Sequence, residues 1–355
     1  MGLAGFGGGL AVISQVRRRL VDRTRIFSDG EFLDCLALAQ ALPGGASINL
    51  FTQLGFQTGG TLTALLSTIA FVLPSAVLMG VLGASYSTLD SLPRVATVLA
   101  SLDASVLAII TAAAIEIGRR MTRRTDFVLA AAVGAAVSLR LTTVLEAVLL
   151  VVVGALALSG RQEKWGSSAL SAIALAPSKG LALVPMLAPI FLQIGVSLFG
   201  GGLAMIPMLD RLLVGPGWLS PKELHAAITL SQLTPGPVAT ACTFAGYRLA
   251  GTIGALTATL EVFAPPFLLS VIAARSARRF RDNGAVRAIL AALGPASVGL
   301  IAAAAVSFGS TGPHGLEFWV FAAGGLILLV MFHAPPLLVL IGTGVLRALA
   351  TVWIG

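Results

Sequence analysis

Seven stretches of this 355-residue chain are apolar for about the length a helix needs to cross a bilayer. They are Thr61 to Gly83, Ala96 to Gly118, Leu141 to Leu158, Leu181 to Leu198, Thr252 to Ala274, Ala285 to Ser307 and Leu337 to Ile354. Hydrocarbon offers no partner to a free N–H or C=O, so such a chain folds either as a helical bundle or as a closed barrel. Barrel strands would be about ten residues long and would alternate polar with apolar, which these segments do not. With 57% apolar and only 11% charged residues, the composition also lies far from that of a soluble domain. The expected class is an all-α polytopic membrane protein.

A repeat divides the chain. Phe6-Gly7-Gly8-Gly9-Leu10-Ala11 returns as Phe199-Gly200-Gly201-Gly202-Leu203-Ala204. A polar loop follows each, then a Ser-x-x-Glu capping box, Ser28 to Glu31 or Ser220 to Glu223, the second with Pro221 at the first helical position. Each box opens a helix of about a dozen residues. That helix stops at Gln40-Ala41-Leu42-Pro43-Gly44-Gly45 or Gln232-Leu233-Thr234-Pro235-Gly236-Pro237. A second short segment ends in Gly55-Phe56 or Gly246-Tyr247. After Gly60-Thr61 or Gly251-Thr252 comes a long helix, expected to be interrupted at Pro74 or at Pro265-Pro266. The expected organisation is an N-terminal repeat over 1–159, a linker over 160–180 and a C-terminal repeat over 181–355. About 18 apolar residues precede Phe199 but only five precede Phe6, so the first helix reads as cut short. No cleavable signal peptide is expected.

A limb of about 12 residues is some 18 Å of helix and falls short of a hydrocarbon core of about 30 Å. The Pro-Gly segments are therefore expected to form re-entrant hairpins, tolerated where protein or water covers the backbone. Loop charge supports this. Arg17, Arg18, Arg19, Arg23 and Arg25, then Arg119, Arg120, Arg123 and Arg124, then Arg161, Lys164 and Lys179, then Arg275, Arg278, Arg279, Arg281 and Arg287 all fall on one side if the hairpins do not cross. The same assignment gives five crossings per half and so two inverted repeats. The basic loops and the linker are then cytoplasmic, in the inner (plasma) membrane. The positive charge is read as this loop bias, and nucleic acid is not an expected partner.

Glycine breaks expose helix N-terminal N–H groups to close approach by an anion. The expected site comprises Gly7, Gly8 and Gly9, Gly200, Gly201 and Gly202, and the hairpin tips. Gln40, Pro43, Gly44, Gly45, Ser47 and Asn49 come from one tip; Gln232, Thr234, Pro235, Gly236 and Pro237 come from the other. Gln53, Thr240 and Thr243 lie beside them. Close helix packing is the competing explanation of these glycines. Arg248 reads as an interface anchor at the hairpin end or as a direct anion ligand. Asp103 and Glu261, acidic at membrane depth and not equivalent in the repeat, are candidates for proton coupling or for structural hydrogen bonding. His225, His314 and His333 have no metal-ligand spacing, and Cys35 and Cys242 read as buried packing residues. No metal, cofactor or enzyme motif is present: there is no paired His-Glu, Cys cluster or Gly-x-Ser-x-Gly.

The ordered motifs resemble those of the two-domain form of the chromate ion transporter family. The resemblance is carried by Phe199 to Pro207, Trp218 to Glu223, Gln232 to Pro237 and Gly246 to Gly251. In the first half Phe27 replaces Trp, Gly45 replaces the second Pro and Gln57 replaces Arg. The resemblance implies secondary active transport of a small oxyanion, chromate, with sulfate as exchange partner or alternative substrate and chromate efflux as the outcome. An anion channel of the same fold and a non-transporting scaffold are the rival readings. The expected partners are the oxyanion and the lipid bilayer, and a homodimer is allowed.

Overall fold

The computed structural model describes residues 8–119, 121–141, 147–148, 150–152, 184–198, 202–276, 284–311 and 315–354. Gly7, Gly200, Gly201, His314 and the whole 160–180 linker lie outside the described residues. The described elements are helical. In the first half they are α1 (Gly8–Arg17), α2 (Asp29–Ala41), α3 (Ala46–Asp90), α4 (Pro93–Gly118) and α5 (Arg124–Ser138). The second half holds α6 (Val184–Val196), α7 (Pro221–Leu233), α8 (Ala241–Arg275), α9 (Gly284–Thr311), α10 (Leu316–Val330) and α11 (Pro336–Ile354). Among the described residues four helices are long and apolar enough to cross a membrane, within α3, α4, α8 and α9. Most of the Leu141 to Leu158 run is not described.

Both capping boxes form. Ser28 accepts from the Glu31 N–H while the Glu31 carboxylate accepts from the Ser28 N–H, and Ser220 with Glu223 does the same. A wide π-turn precedes each box, Arg18–Arg23 in one half and Asp210–Val214 in the other. α2 and α7 are 13 residues each, about 20 Å, and each ends in extended backbone at the Pro-Gly motif. The next limb begins at Ala46 in one half and, after a single 3₁₀ turn over Val238–Thr240, at Ala241 in the other.

The long helices break where φ turns positive, at Gly60 (φ 76°) and Gly251 (φ 61°), 191 positions apart. They are not interrupted at Pro74 or at Pro265-Pro266, which corrects the expectation from sequence: the helix runs through all three prolines. A proline removes one N–H and frees the carbonyl four residues back, and a packed neighbour can shield that carbonyl. At Glu261 and Val262 the neighbour is Gly195 of α6, whose missing Cβ would lie 2.7 and 2.6 Å from the two oxygens. A single glycine at positive φ in each break gives the backbone no such choice.

Beyond its break each long helix shows an exposed apolar stripe. Leu62, Leu65, Ile69, Val77 and Val81 of α3 correspond at the same 191-residue offset to Ile253, Leu256, Leu260, Leu268 and Ile272 of α8. Such a stripe on a buried scaffold is a lipid-facing surface. The opposite faces of α3 and α8 pack on each other at the centre of the molecule. α6 lies on α8, α5 on α9, and α9, α10 and α11 surround α4. Gly134 and Gly299 make the α5–α9 contact: a Cβ on Gly299 would sit against the Ala130 carbonyl. Cys35 and Cys242 are buried as expected.

Candidate functional site

The two hairpin tips pack across the molecule, each against the proline-bearing helix of the other half. Gly44 (φ 112°) faces Pro266, whose Cβ lies 2.6 Å from the position a Gly44 Cβ would take. Gly236 (φ 139°) faces Ser75 at the same 2.6 Å, with the Phe71 carbonyl behind it. Only glycine fits either place, because both the φ value and the close neighbour forbid a side chain.

Hydrogen bonds repeat this exchange. Ser75 Oγ pairs with Thr240 Oγ1 at 2.8 Å and Thr234 Oγ1 at 3.3 Å. In the other direction Gln53 donates to the Ser270 carbonyl (2.8 Å) and hydroxyl (3.0 Å), and Ser270 donates to the Asn49 carbonyl at 3.4 Å. Within each half the limb beyond the tip is stapled to the long helix by a threonine pair. Thr52 with Thr68 and Thr243 with Thr259 are both 2.8 Å apart.

The described residues on either side of the second glycine-rich motif meet both tips. Leu198, just before it, accepts a hydrogen bond from the Gly44 N–H. Gly202, just after it, is left-handed (φ 92°) and lies against Val238 and Ala239 at the start of the second limb. Gly44 is thus tied to the residue before the second glycine-rich motif, and Gly202 to the residues that follow Pro237. Gly8 and Gly9, by contrast, already belong to α1 rather than preceding it. Gln40 is exposed on α2 and Gln232 is half-buried on α7.

Several expected donors are already engaged. Asn49 Nδ2 lies 3.1–3.2 Å from the carbonyls of Ala39, Leu42 and Pro43, and so holds the first tip closed. The Gly44 N–H and the Gln53 amide are likewise committed. Two polar atoms at this junction, Asn49 Oδ1 and Ser197 Oγ, are buried without a partner among the described residues. Leaving such an atom unpaired costs about 1–3 kcal/mol, the usual mark of a place built for something polar.

Arg248 does not reach the tip. It bonds Glu223 Oε1 at 2.8 Å and Ser87 Oγ at 3.0 Å, and lies 5.5 Å from the Tyr86 ring centre. That places it at the base of the second hairpin. Burial by itself would raise the Glu223 carboxyl, but the Ser220 N–H and hydroxyl together with Arg248 outweigh it and hold the group below the usual carboxylate range. Glu261 is half-buried on α8, with no hydrogen bond or ion pair to another described residue. Asp103 is buried and bonded to His225 and Thr229. His225 had no sequence signal of its own, since its partners stand 122 and 86 positions away.

The profile of the chromate transporter family matches residues 1–159 and 186–348. A probable chromate transport protein of Synechococcus elongatus is 30% identical over 93% of this chain and 86% of its own length. Chromate transport proteins of Pseudomonas aeruginosa and Cupriavidus metallidurans are 29% and 30% identical, each over 86% of this chain and over 78% and 79% of their own lengths. No solved structure matches.

Proposed function

Because this chain belongs to the chromate transporter family, we propose that it is a secondary active transporter of a small oxyanion, chromate, with sulfate exchanged or carried by the same site. The observation that carries this is the crossed packing of the two Pro-Gly tips, each against the proline-bearing helix of the other half. Each tip points the start of a helix toward the same junction, where the positive helix ends favour an anion. The binding set is Gly200, Gly201 and Gly202 with Pro43, Gly44, Gly45, Ser47 and Asn49 and with Thr234, Pro235, Gly236 and Pro237. Neutral donors suit a solute that has to leave again. Arg248 serves as the anchor of the hairpin base.

The two halves are inverted and exchange access by movement of one against the other. Contacts between distant loops support the assigned sides. Lys222 pairs with Asp90 at 2.7 Å, joining two loops assigned to the outer side. Arg275 donates to Thr61 at 2.8 Å, joining two segment ends assigned to the cytoplasm. On this reading the protein lies in the plasma membrane, and its family resemblance makes chromate efflux the outcome.

Purified protein in liposomes, with labelled chromate or sulfate uptake measured under imposed pH gradients and potentials, tests the reading. Accumulation against a gradient is expected, and Gly236→Val is expected to abolish it. Flux that only runs downhill would make the protein a channel, and normal accumulation by Gly236→Val would remove the tips from the site.

A further inference from the structure

Behind the second hairpin, four side chains meet that the oxyanion site does not use. Asp103 of α4 is 7% exposed and His225 of α7 is 3% exposed. His225 Nδ1 is 3.2 Å from Asp103 Oδ2, and Thr229, one turn further along α7, donates to Asp103 Oδ1 at 2.5 Å. His225 Nε2 is 2.8 Å from Thr311 Oγ1, at the end of α9. The imidazole also stacks on Phe308 with ring centres 4.0 Å apart.

Counting protons shows what this arrangement can hold. Thr229 donates to Asp103 Oδ1, and with Asp103 as a carboxylate its Oδ2 accepts from an Nδ1–H of His225. Nε2 is then decided by the single Thr311 proton, which has two good acceptors: Nε2 and the Ser307 carbonyl at 2.9 Å. With the hydroxyl turned to Nε2 the imidazole is neutral. With it turned to Ser307, its lone pair accepts from an Nε2–H and the ring is an imidazolium. One added proton goes onto Nε2, one hydroxyl rotates, and no heavy-atom contact is lost. The charged ring gains an ion pair with Asp103 and a cation over the Phe308 face.

Other charges around the cluster are paired among themselves. On α3 and α7, Asp90 holds Lys222; on α7 and α8, Glu223 holds Arg248; Asp210, near Ser307 of α9, holds Arg140; Glu317 of α10 holds Arg347 of α11. Tyr86 of α3 lies close enough to feel Asp103 as well as Glu223 and Arg248.

We propose that His225, held between Asp103 and Thr311, is a buried proton-binding site whose occupancy sets how firmly α7 and its Pro-Gly tip are tied to α4 and α9. Its coupling role rests on the transport reading above; proton binding rests on this geometry alone. A transporter that binds one proton here changes the bond tying α7 to α4 from one between a carboxylate and a neutral imidazole to an ion pair.

Nuclear magnetic resonance of the full-length, ¹⁵N-histidine-labelled protein in lipid nanodiscs tests the site directly. Only three histidines are present, and His225→Gln and His333→Asn assign them. The His225 ring signals are expected to pass through one protonation step as the pH is lowered. Asp103→Asn removes the carboxylate partner and should move that step. A ring that keeps one state throughout, or a step indifferent to Asp103→Asn, overturns the proposal. In liposomes, His225→Gln should lower the ratio of pH-driven sulfate accumulation to sulfate exchange at equal pH by about tenfold. An unaltered ratio overturns the coupling role. If the natural protein moves neither chromate nor sulfate, the transport reading falls, and the resonance titration still judges the proton site.

Discussion

The two hairpins share a backbone plan and differ in what surrounds them. Ser28 and Ser220 stand 192 positions apart, and the capping box, the 13-residue first limb, the left-handed tip glycine and the threonine staple all recur. Around the second hairpin, however, α7 is buried continuously from Leu224 to Ser231 and presents His225 and Thr229 to Asp103. At the same offset α2 presents Leu33 and Ala37, both exposed, and Pro295 stands where Asp103 would. Glu223 holds Arg248, whereas among the described residues Glu31 bonds Ser28 alone, and the position matching Arg248 is Gln57. Duplication thus supplied a repeated frame of breaks and caps, and among the described residues a buried His–Asp pair stands beside the second hairpin alone. A two-fold frame can make a solute site between the halves; a proton site in one half gives the motion a direction to couple to.

The sharpest way to break this comparison is at the tips. Gly44→Ala and Gly236→Ala each set a Cβ 2.6 Å from the opposite helix at positive φ, so each should lower sulfate uptake at least about tenfold. Unequal losses in the liposome assay would show that only one tip contributes. Next in size, Thr229→Val leaves an Asp103 oxygen buried and unpaired and should cost about 1–3 kcal/mol in thermal unfolding. Ala37→Ser, at the matching position on the exposed face of α2, should stay within about 0.5 kcal/mol. The crossed serines should behave alike: Ser75→Ala and Ser270→Ala are each expected to cost about 1 kcal/mol by the same measurement. A large difference between them would mean that the tips are not equally anchored.

Arg248→Gln should cost below about 1 kcal/mol and leave the apparent affinity for sulfate unchanged. Weakened affinity would return Arg248 to the solute site. The smallest effect is acid fraying of the caps. Glu31 and Glu223 are both held below the ordinary carboxylate range, Glu31 by the N–H and hydroxyl of Ser28. Their contribution is therefore full above the unfolded value, near pH 4, and is lost as pH falls through the lower folded value. Amide hydrogen exchange should show both first turns loosening in acid, the second more because Arg248 loses its partner too.

Much of the scaffold was legible because its signals are local. A capping box lies within four residues, a helix break needs only a glycine that tolerates positive φ, and an apolar run announces its own length. Prolines misled, since Pro74, Pro265 and Pro266 carry a local cost that packing absorbs from outside the helix. Of the proposed oxyanion site, the glycines and prolines of the tips were visible as motifs. Their meeting was not, because Gly44 with Pro266 and Gly236 with Ser75 are contacts between halves. His225 was invisible for the same reason: a lone histidine on an apolar helix acquires chemistry only from Asp103 and Thr311.

The amino-acid order alone fixed a helical membrane chain, doubled, with caps, breaks and short limbs at matching places, since these follow from backbone sterics and solvent within a few residues. Which tip faces which helix, which amides remain free and which acid meets which base were decided only by tertiary packing. Those are properties of pairs far apart in the chain, and nothing in one partner's neighbourhood specifies the other.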